Sequence, residues 1–290
     1  IEEFKKQVEA EWHHLKNSPN TIDESELKRV AKFFTAMPYE KLNDQDDTYD
    51  EAIQNNKAFA SWAKRSVHLH KQKGYRAITL SLKPHGLAPG DATSDQMRIV
   101  AELAEQYSFG ELRVSHEQNL ILADVKLQDI FKVWEKAKAH QLATPNIGLL
   151  TDIICCPGGD FCSLANAKSI PIATSIQEAF DNLDYLHDIG ELELNISGCM
   201  NACGHHHIGH IGVLGVDKDG SEWYQVTIGG KQGNDASLGS VIGPSFAAEE
   251  MPGVIKKLID VYIKHRNPEE RFIDTVRRLG VNPFKEHVYA

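Results

Sequence analysis

The placement of five cysteines constrains this chain more than any other feature. Cys155, Cys156, Cys162, Cys199 and Cys203 fall within 49 of 290 residues, and the rest of the chain has none. A disulfide framework usually spreads its cysteines through a small secreted domain. A long chain that gathers them in one stretch is better explained by a metal or cluster site in a reducing compartment, so we expect a cytoplasmic protein. The spacing is Cys156-x5-Cys162, a gap of 36 residues, then Cys199-x3-Cys203. Three chemistries compete. Structural zinc favours tight Cys-x2–4-Cys knuckles, which the x3 arm fits loosely and the x5 arm poorly. Buried free cysteines are common singly, but four in two glycine-flanked pairs are not. An iron–sulfur cubane is wider than one ion and needs four thiolates around its corners. If Cys199 and Cys203 shared a helical turn, their Cβ atoms would lie roughly 5–6 Å apart, which suits two such corners. Pro157-Gly158-Gly159 would let the other arm wrap closely.

The remaining sequence suggests an α+β protein. Residues 1–70 read as a helical arm or connector. Thr21-Ile22-Asp23-Glu24 is a capping-box pattern, Leu27, Val30, Ala31 and Phe34 follow at helical spacing, and an acidic loop occupies residues 43–47. Residues 71–146 read as β-α-β-β-α, most of a ferredoxin-like sandwich: a strand over 75–83, a helix capped by Ser94, strands over 111–114 and 120–125, and a helix through Ile130, Val133, Trp134 and Ala137. Residues 147–290 read as a mixed α/β domain. We expect a helix from Phe161, another over 176–186, and a strand over 191–197. Two further strands flank Asp217-Lys218-Asp219-Gly220, and an amphipathic helix spans 251–265, followed by one more short helix. The formal net charge of −10 argues against a general nucleic-acid binder. No run of 18 apolar residues suggests a membrane span. The chain begins Ile1-Glu2-Glu3-Phe4, with neither an initiator Met nor a signal-peptide pattern, and we expect a truncated or processed chain.

Two segments are recognisable. Cys-Pro-Gly-Gly-Asp-Phe-Cys-Ser-Leu-Ala at 156–165 and Ser-Gly-Cys-Met-Asn-Ala-Cys-Gly at 197–204 resemble the cluster signature of the sulfite/nitrite reductase haemoprotein family, with spacing, glycines and Asn201 all in agreement. Leu-Arg-Val-Ser-His-Glu-Gln-Asn-Leu at 112–120 looks like that family's strand pair. The resemblance implies that Cys156, Cys162, Cys199 and Cys203 hold a [4Fe–4S] cluster and that Cys203 is also the axial ligand of a sirohaem iron. It further implies six-electron reduction of sulfite to sulfide or, alternatively, of nitrite to ammonia, with electrons from a flavoprotein subunit or ferredoxin. A non-catalytic iron–sulfur module is the alternative from another class.

Such reductases carry two copies of this unit, and the present chain matches the second. The Arg and Lys residues that grip the anion belong to the first copy, so no catalytic anion-binding residue is assigned and the chain is expected to be a C-terminal half. The x5 spacing selects Cys156, leaving Cys155 as a buried spectator. Asn201, His205, His206, His207 and His210 are candidates for the cofactor surroundings, with packing and a separate metal as the other readings. Arg113, Ser115, His116, Gln118 and Asn119 are expected to be scaffold rather than cofactor contacts. Lys83, Pro84 and His85 read as an ordinary strand end and loop. Residues 229–233 (Gly-Gly-Lys-Gln-Gly) lack a phosphate-loop pattern but could approach the cofactor.

Overall fold

The computed structural model describes residues 1–34 and 36–290. It divides into two units, residues 1–40 and 41–290. The first holds helices α1 (Glu2–Leu15) and α2 (Glu24–Ala31), neither with a buried residue. Asp23, rather than Thr21, caps α2 by accepting the Glu26 N–H. A carboxylate at this position also favours the positive end of the helix dipole.

In the larger unit, the expected alternation over residues 75–83 is broken by a bulge. The pairing register shifts between Arg76 and Ile78, so Tyr75 and Ile78 both reach the core despite their odd spacing. This strand, β2 (Tyr75–Leu80), lies in an antiparallel sheet of order β1-β2-β4-β3 with β1 (Val67–Leu69), β3 (Leu112–Val114) and β4 (Leu120–Lys126). Helices α3 (Asp47–Asn55), α4 (Lys57–Ser66), α5 (Ser94–Tyr107) and α6 (Ile130–Ala139) accompany it. Phe59 and Trp62 of α4 pack with Ile78, Leu80, Leu103, Leu122, Val133 and Trp134 in one core. Each such fully buried side chain stabilises by roughly 1.5–3 kcal/mol. The helical segment expected over 1–70 is therefore divided: α3, α4 and β1 belong with the ferredoxin-like layer, and residues 1–40 stand as their own unit. Helix α5 is capped one residue earlier than expected, by Thr93 in a full capping box with Gln96.

The second layer is a five-stranded sheet of order β5-β6-β7-β8-β9. Strands β5 (Ile154–Cys155), β6 (Leu194–Ser197) and β7 (Ile211–Lys218) run parallel; β8 (Ser221–Ile228) and β9 (Ser240–Val241) complete it antiparallel. The β7–β8 hairpin turns at Asp219 and Gly220, both at positive φ, as a two-residue hairpin turn of the primed type demands. The expected helix from Phe161 does not form, because residues 161–169 are held as loop by hydrogen bonds to Gly198 and its neighbours. The helix expected over 176–186 is two helices, α7 (Ile170–Ala179) and α8 (Leu183–Ile189), with Asn182 capping the second. Helix α9 (Met251–His265) lies where expected, and the tail forms two helices, α10 (Phe272–Leu279) and α11 (Asn282–Tyr289). Val254, Leu258 and Val261 of α9 join Ile172, Ile196, Val213, Val226 and Phe272 in the second core. Among the described residues, no helix is long and apolar enough to cross a membrane.

Candidate metal centre

The four spaced cysteines sit on two loops at one end of the parallel strands. Cys156 immediately follows β5, and its N–H donates to the Ile196 carbonyl at 3.1 Å, extending the ladder by one bond. Cys162 is held by its N–H to the Gly158 carbonyl at 2.9 Å. Cys199 follows β6 through Gly198, and Cys203 closes the second loop. That loop is a turn rather than the helix the spacing suggested: Ala202 has φ 56° and donates to the Cys199 carbonyl at 3.2 Å.

Gly198 interlaces the two loops. Its carbonyl accepts from the Asn166 and Ala167 N–H groups at 2.8 and 3.0 Å, and its own N–H donates to the Cys156 Sγ at 3.1 Å. A Cβ at this position would lie 2.5 Å from the Ala167 carbonyl oxygen and 2.9 Å from the Gly158 Cα, so only glycine permits the approach. Gly204 is equally confined, because a Cβ there would meet the Ile196 carbonyl oxygen at 2.0 Å. The glycines of the motif are thus the residues that let the cysteine loops touch.

The thiols differ in environment. Cys155, Cys156 and Cys199 are buried, Cys162 is half-buried and Cys203 is exposed. Burial pushes the Cys155 thiol pKa up, so it stays protonated, and it donates to the Cys156 carbonyl at 3.2 Å. The Cys156 Sγ also lies 3.4 Å from the Ser169 Oγ. Among the described residues, no three His, Cys, Asp or Glu side chains converge as ligands for a single ion. A donor set of four thiols on two glycine-tightened loops fits a multi-iron cluster, whose corners stand further apart than the ligands of one ion. Phe161, Leu164 and Met200 leave large apolar side chains exposed on these same loops, at 80%, 70% and 81% exposure.

The histidines separate. His205 takes the left-handed conformation and, with Asn201 and His207, is exposed. His206 and His210 are buried. Neither ring nitrogen of His206 has a partner; burial, with His207 alongside at 3.9 Å between ring centroids, drives its pKa down to about 4. His210 is also driven down to about 4 by burial, and its Nδ1 accepts the Glu193 N–H at 3.2 Å. Within the glycine-rich segment 229–233, Gly230 packs on backbone, where a Cβ would lie 2.4 Å from the Gly209 carbonyl oxygen, whereas a Cβ on Gly233 would meet nothing within 4 Å.

Lys83, which reads in the sequence as an ordinary strand end, is fully buried. Its Nζ reaches the Asp152 Oδ1 at 2.6 Å and donates to the Glu117 carbonyl. Asp152 also accepts from the Asn119 Nδ2 at 3.0 Å and the Gly148 N–H at 2.9 Å. Gln118 bonds twice to the Cys155 backbone, and His116 lies 2.9 Å from the Gln232 Oε1. Residues 115–119 therefore clamp the ferredoxin-like layer onto the cysteine-bearing layer. No local pattern discloses this, because each partner lies dozens of residues away.

Two family models match the chain: the nitrite and sulphite reductase 4Fe-4S domain over residues 149–290, and the nitrite/sulfite reductase ferredoxin-like half domain over residues 68–140. The assimilatory ferredoxin-dependent nitrite reductase of Haloferax mediterranei is 28% identical over 261 residues, 87% of this chain and 43% of that protein. The assimilatory-type sulfite reductase of Nitratidesulfovibrio vulgaris is 22% identical over 204 residues, 69% of this chain and 88% of that one. The solved structure of Mycobacterium tuberculosis NirA is similar in fold, with a TM-score of 0.61 at 23% identity over 76% of this chain and 41% of that chain. The chain thus spans less than half the length of the haloarchaeal relative. With both family domains in their order, the cysteine loops in the second and the half domain clamped against them, the chain belongs to the sulfite/nitrite reductase haemoprotein family.

Proposed function

We propose that Cys156, Cys162, Cys199 and Cys203 hold a [4Fe–4S] cluster, and that the chain is the cluster-bearing, C-terminal portion of a reductase for sulfite or nitrite. The observation that carries this reading is the interlacing of the two cysteine loops at Gly198, with the Gly198 N–H directed at the Cys156 sulfur. A backbone N–H aimed at a ligand sulfur stabilises its thiolate and raises the potential of the bound cluster. Burial of Cys156 and Cys199 keeps water from two corners. Cys203, the exposed thiol of the four, would hold the sirohaem iron, and its exposure supports that role. Sirohaem, when bound, supplies the centre at which the oxyanion takes up electrons one at a time. Asn201, His205 and His207 are exposed on the same loop and the following turn, and stand as candidates for the cofactor surroundings. The groups that grip the anion come from the part of the protein outside this chain, and ferredoxin or a flavoprotein subunit supplies the electrons.

Anaerobic reconstitution with iron and sulfide tests the ligand set. The expected result is roughly four iron ions per chain with the broad visible absorption of a cubane. Cys155→Ser retains them and Cys156→Ser does not. Stoichiometric zinc in place of iron, or loss of iron in Cys155→Ser, would count against the reading. Assay of the full-length reductase with each oxyanion then decides between sulfite and nitrite.

A further inference from the structure

The turn at residues 115–119 bonds to Cys155, the residue beside one of the four spaced cysteines. Strand β5 has only two residues. On one side it pairs with β6, Ile154 opposite Asn195 and Cys155 opposite Ile196. On its other side the primary amide of Gln118 takes the place of a neighbouring strand. The Gln118 Nε2 donates to the Cys155 carbonyl at 2.8 Å, and the Gln118 Oε1 accepts the Cys155 N–H at 2.8 Å. The next residue is Cys156, whose N–H bonds to Ile196 and whose sulfur accepts from Gly198.

The amide is itself held in place. Gln118 lies at φ 58°, its N–H donates to the Ser115 carbonyl at 3.1 Å, and its Cβ is packed against Gly90, where an added methyl would stand 3.0 Å away. Asn119, next in the chain, bonds to Asp152 and accepts the Leu82 N–H on its Oδ1. The half domain therefore presents a rigid two-pronged group to the strand edge that leads into Cys156.

We propose that Gln118 is a positioning residue for the iron–sulfur site: through both backbone groups of Cys155 it sets where the Cys156 sulfur stands against the Gly198 N–H. This rests on the reading of Cys156 as a cluster ligand. A two-residue strand with one open edge has little to hold its register. Removing the amide leaves a buried N–H and C=O without partners, which the strand can relieve only by moving. Movement at Cys155 is passed to the adjoining Cys156, and the hydrogen bond to its sulfur is one of the terms that set a cluster's potential.

Two variants of the reconstituted holoprotein test this. Gln118→Asn keeps a primary amide and suits the left-handed backbone, but is one methylene too short to reach. Gln118→Glu keeps the length and the acceptor but sets a carboxylate oxygen against the Cys155 carbonyl. Both are expected to retain cluster iron. Both are also expected to show a shifted midpoint potential in an EPR-monitored redox titration, altered g values, and bleaching in air several-fold faster than wild type. The exposed-site variant Arg98→Ala should match wild type. Unchanged potential and g values in Gln118→Asn, with iron at the wild-type level, would overturn the proposal. Should Gln118→Glu fail to fold, Gln118→Asn alone carries the test. A wild-type chain that takes up no cluster would overturn the ligand assignment and this proposal with it. A wild-type cluster insensitive to both variants would overturn this proposal alone.

Discussion

Cys155 and Cys156 are adjacent and both buried, yet their chemistry diverges because consecutive residues of an extended chain face opposite ways. Cys155 joins the apolar core behind the sheet and keeps its proton, whereas Cys156 turns its sulfur to the Gly198 N–H. The x5 spacing selects Cys156 as the proposed ligand, and the two thiols' surroundings are consistent with that proposal. His206 and His210 contribute differently, through pH. Both have folded pKa values near 4, against about 6.5 in an unfolded chain. Between those values the unfolded chain binds the extra protons. The stability they allow is therefore fully present above about pH 6.5 and is lost as pH falls toward 4. We expect the urea midpoint to drop between about pH 7.5 and about pH 5. His210→Gln should lose part of that pH dependence. A wild-type midpoint unchanged over this range would contradict the assignment. The burial of His206 and His210 was not legible in the sequence, where packing, cofactor contact and a separate metal all stood as readings of these histidines.

At the scale of elements, the informative failures lie in the cysteine loops. Helical spacing of Cys199 and Cys203 suggested one turn of helix, and Phe161 seemed to open another. Instead, the backbone around both is tied to Gly198, Ala167 and Gly158, and the glycines permit contacts that a Cβ would forbid. Periodicity reads only the side-chain pattern along one segment, whereas these loops take their shape from each other. The bulge in β2 and the division of α7 from α8 were hidden for a similar reason, because register against a partner strand and a side-chain cap set them. Gly198→Ala tests the argument. The added Cβ is expected to cost about 1–3 kcal/mol or more, as overpacking of a closed site does, and to abolish stable iron binding. A chemical melt with iron analysis checks both, and a variant with wild-type midpoint and iron would show that the loops yield more readily than their contacts imply.

At the scale of the molecule, the two sheet layers of residues 41–290 are joined by buried polar contacts. The central one is the ion pair of Lys83 with Asp152, with side-chain exposures of 0% and 7%. Lys83→Met would leave the Asp152 carboxylate buried without its cation. Breaking one partner of a buried pair costs about 3–5 kcal/mol, and denaturation of the variant should show a loss of that order. A loss within about 0.5 kcal/mol, the usual range of a neutral surface substitution, would rule out this role. Asp152 also holds Asn119 and Gly148, so Lys83→Met combined with Asp152→Asn should recover only part of the stability.

The sequence by itself determined the family signature and the order of a ferredoxin-like layer before a mixed α/β layer. These rest on short-range spacing, on residue types suited to thiolate chemistry, and on hydrophobic periods that each element carries along its own length. Only the tertiary structure decided that α3, α4 and β1 join the ferredoxin-like layer, that Lys83 is buried, and that the amide of Gln118 completes the edge of β5. The Gln118 and Lys83 contacts join residues 37 and 69 positions apart. Their energy comes from desolvated partners meeting in space, which leaves no period or motif in either segment alone.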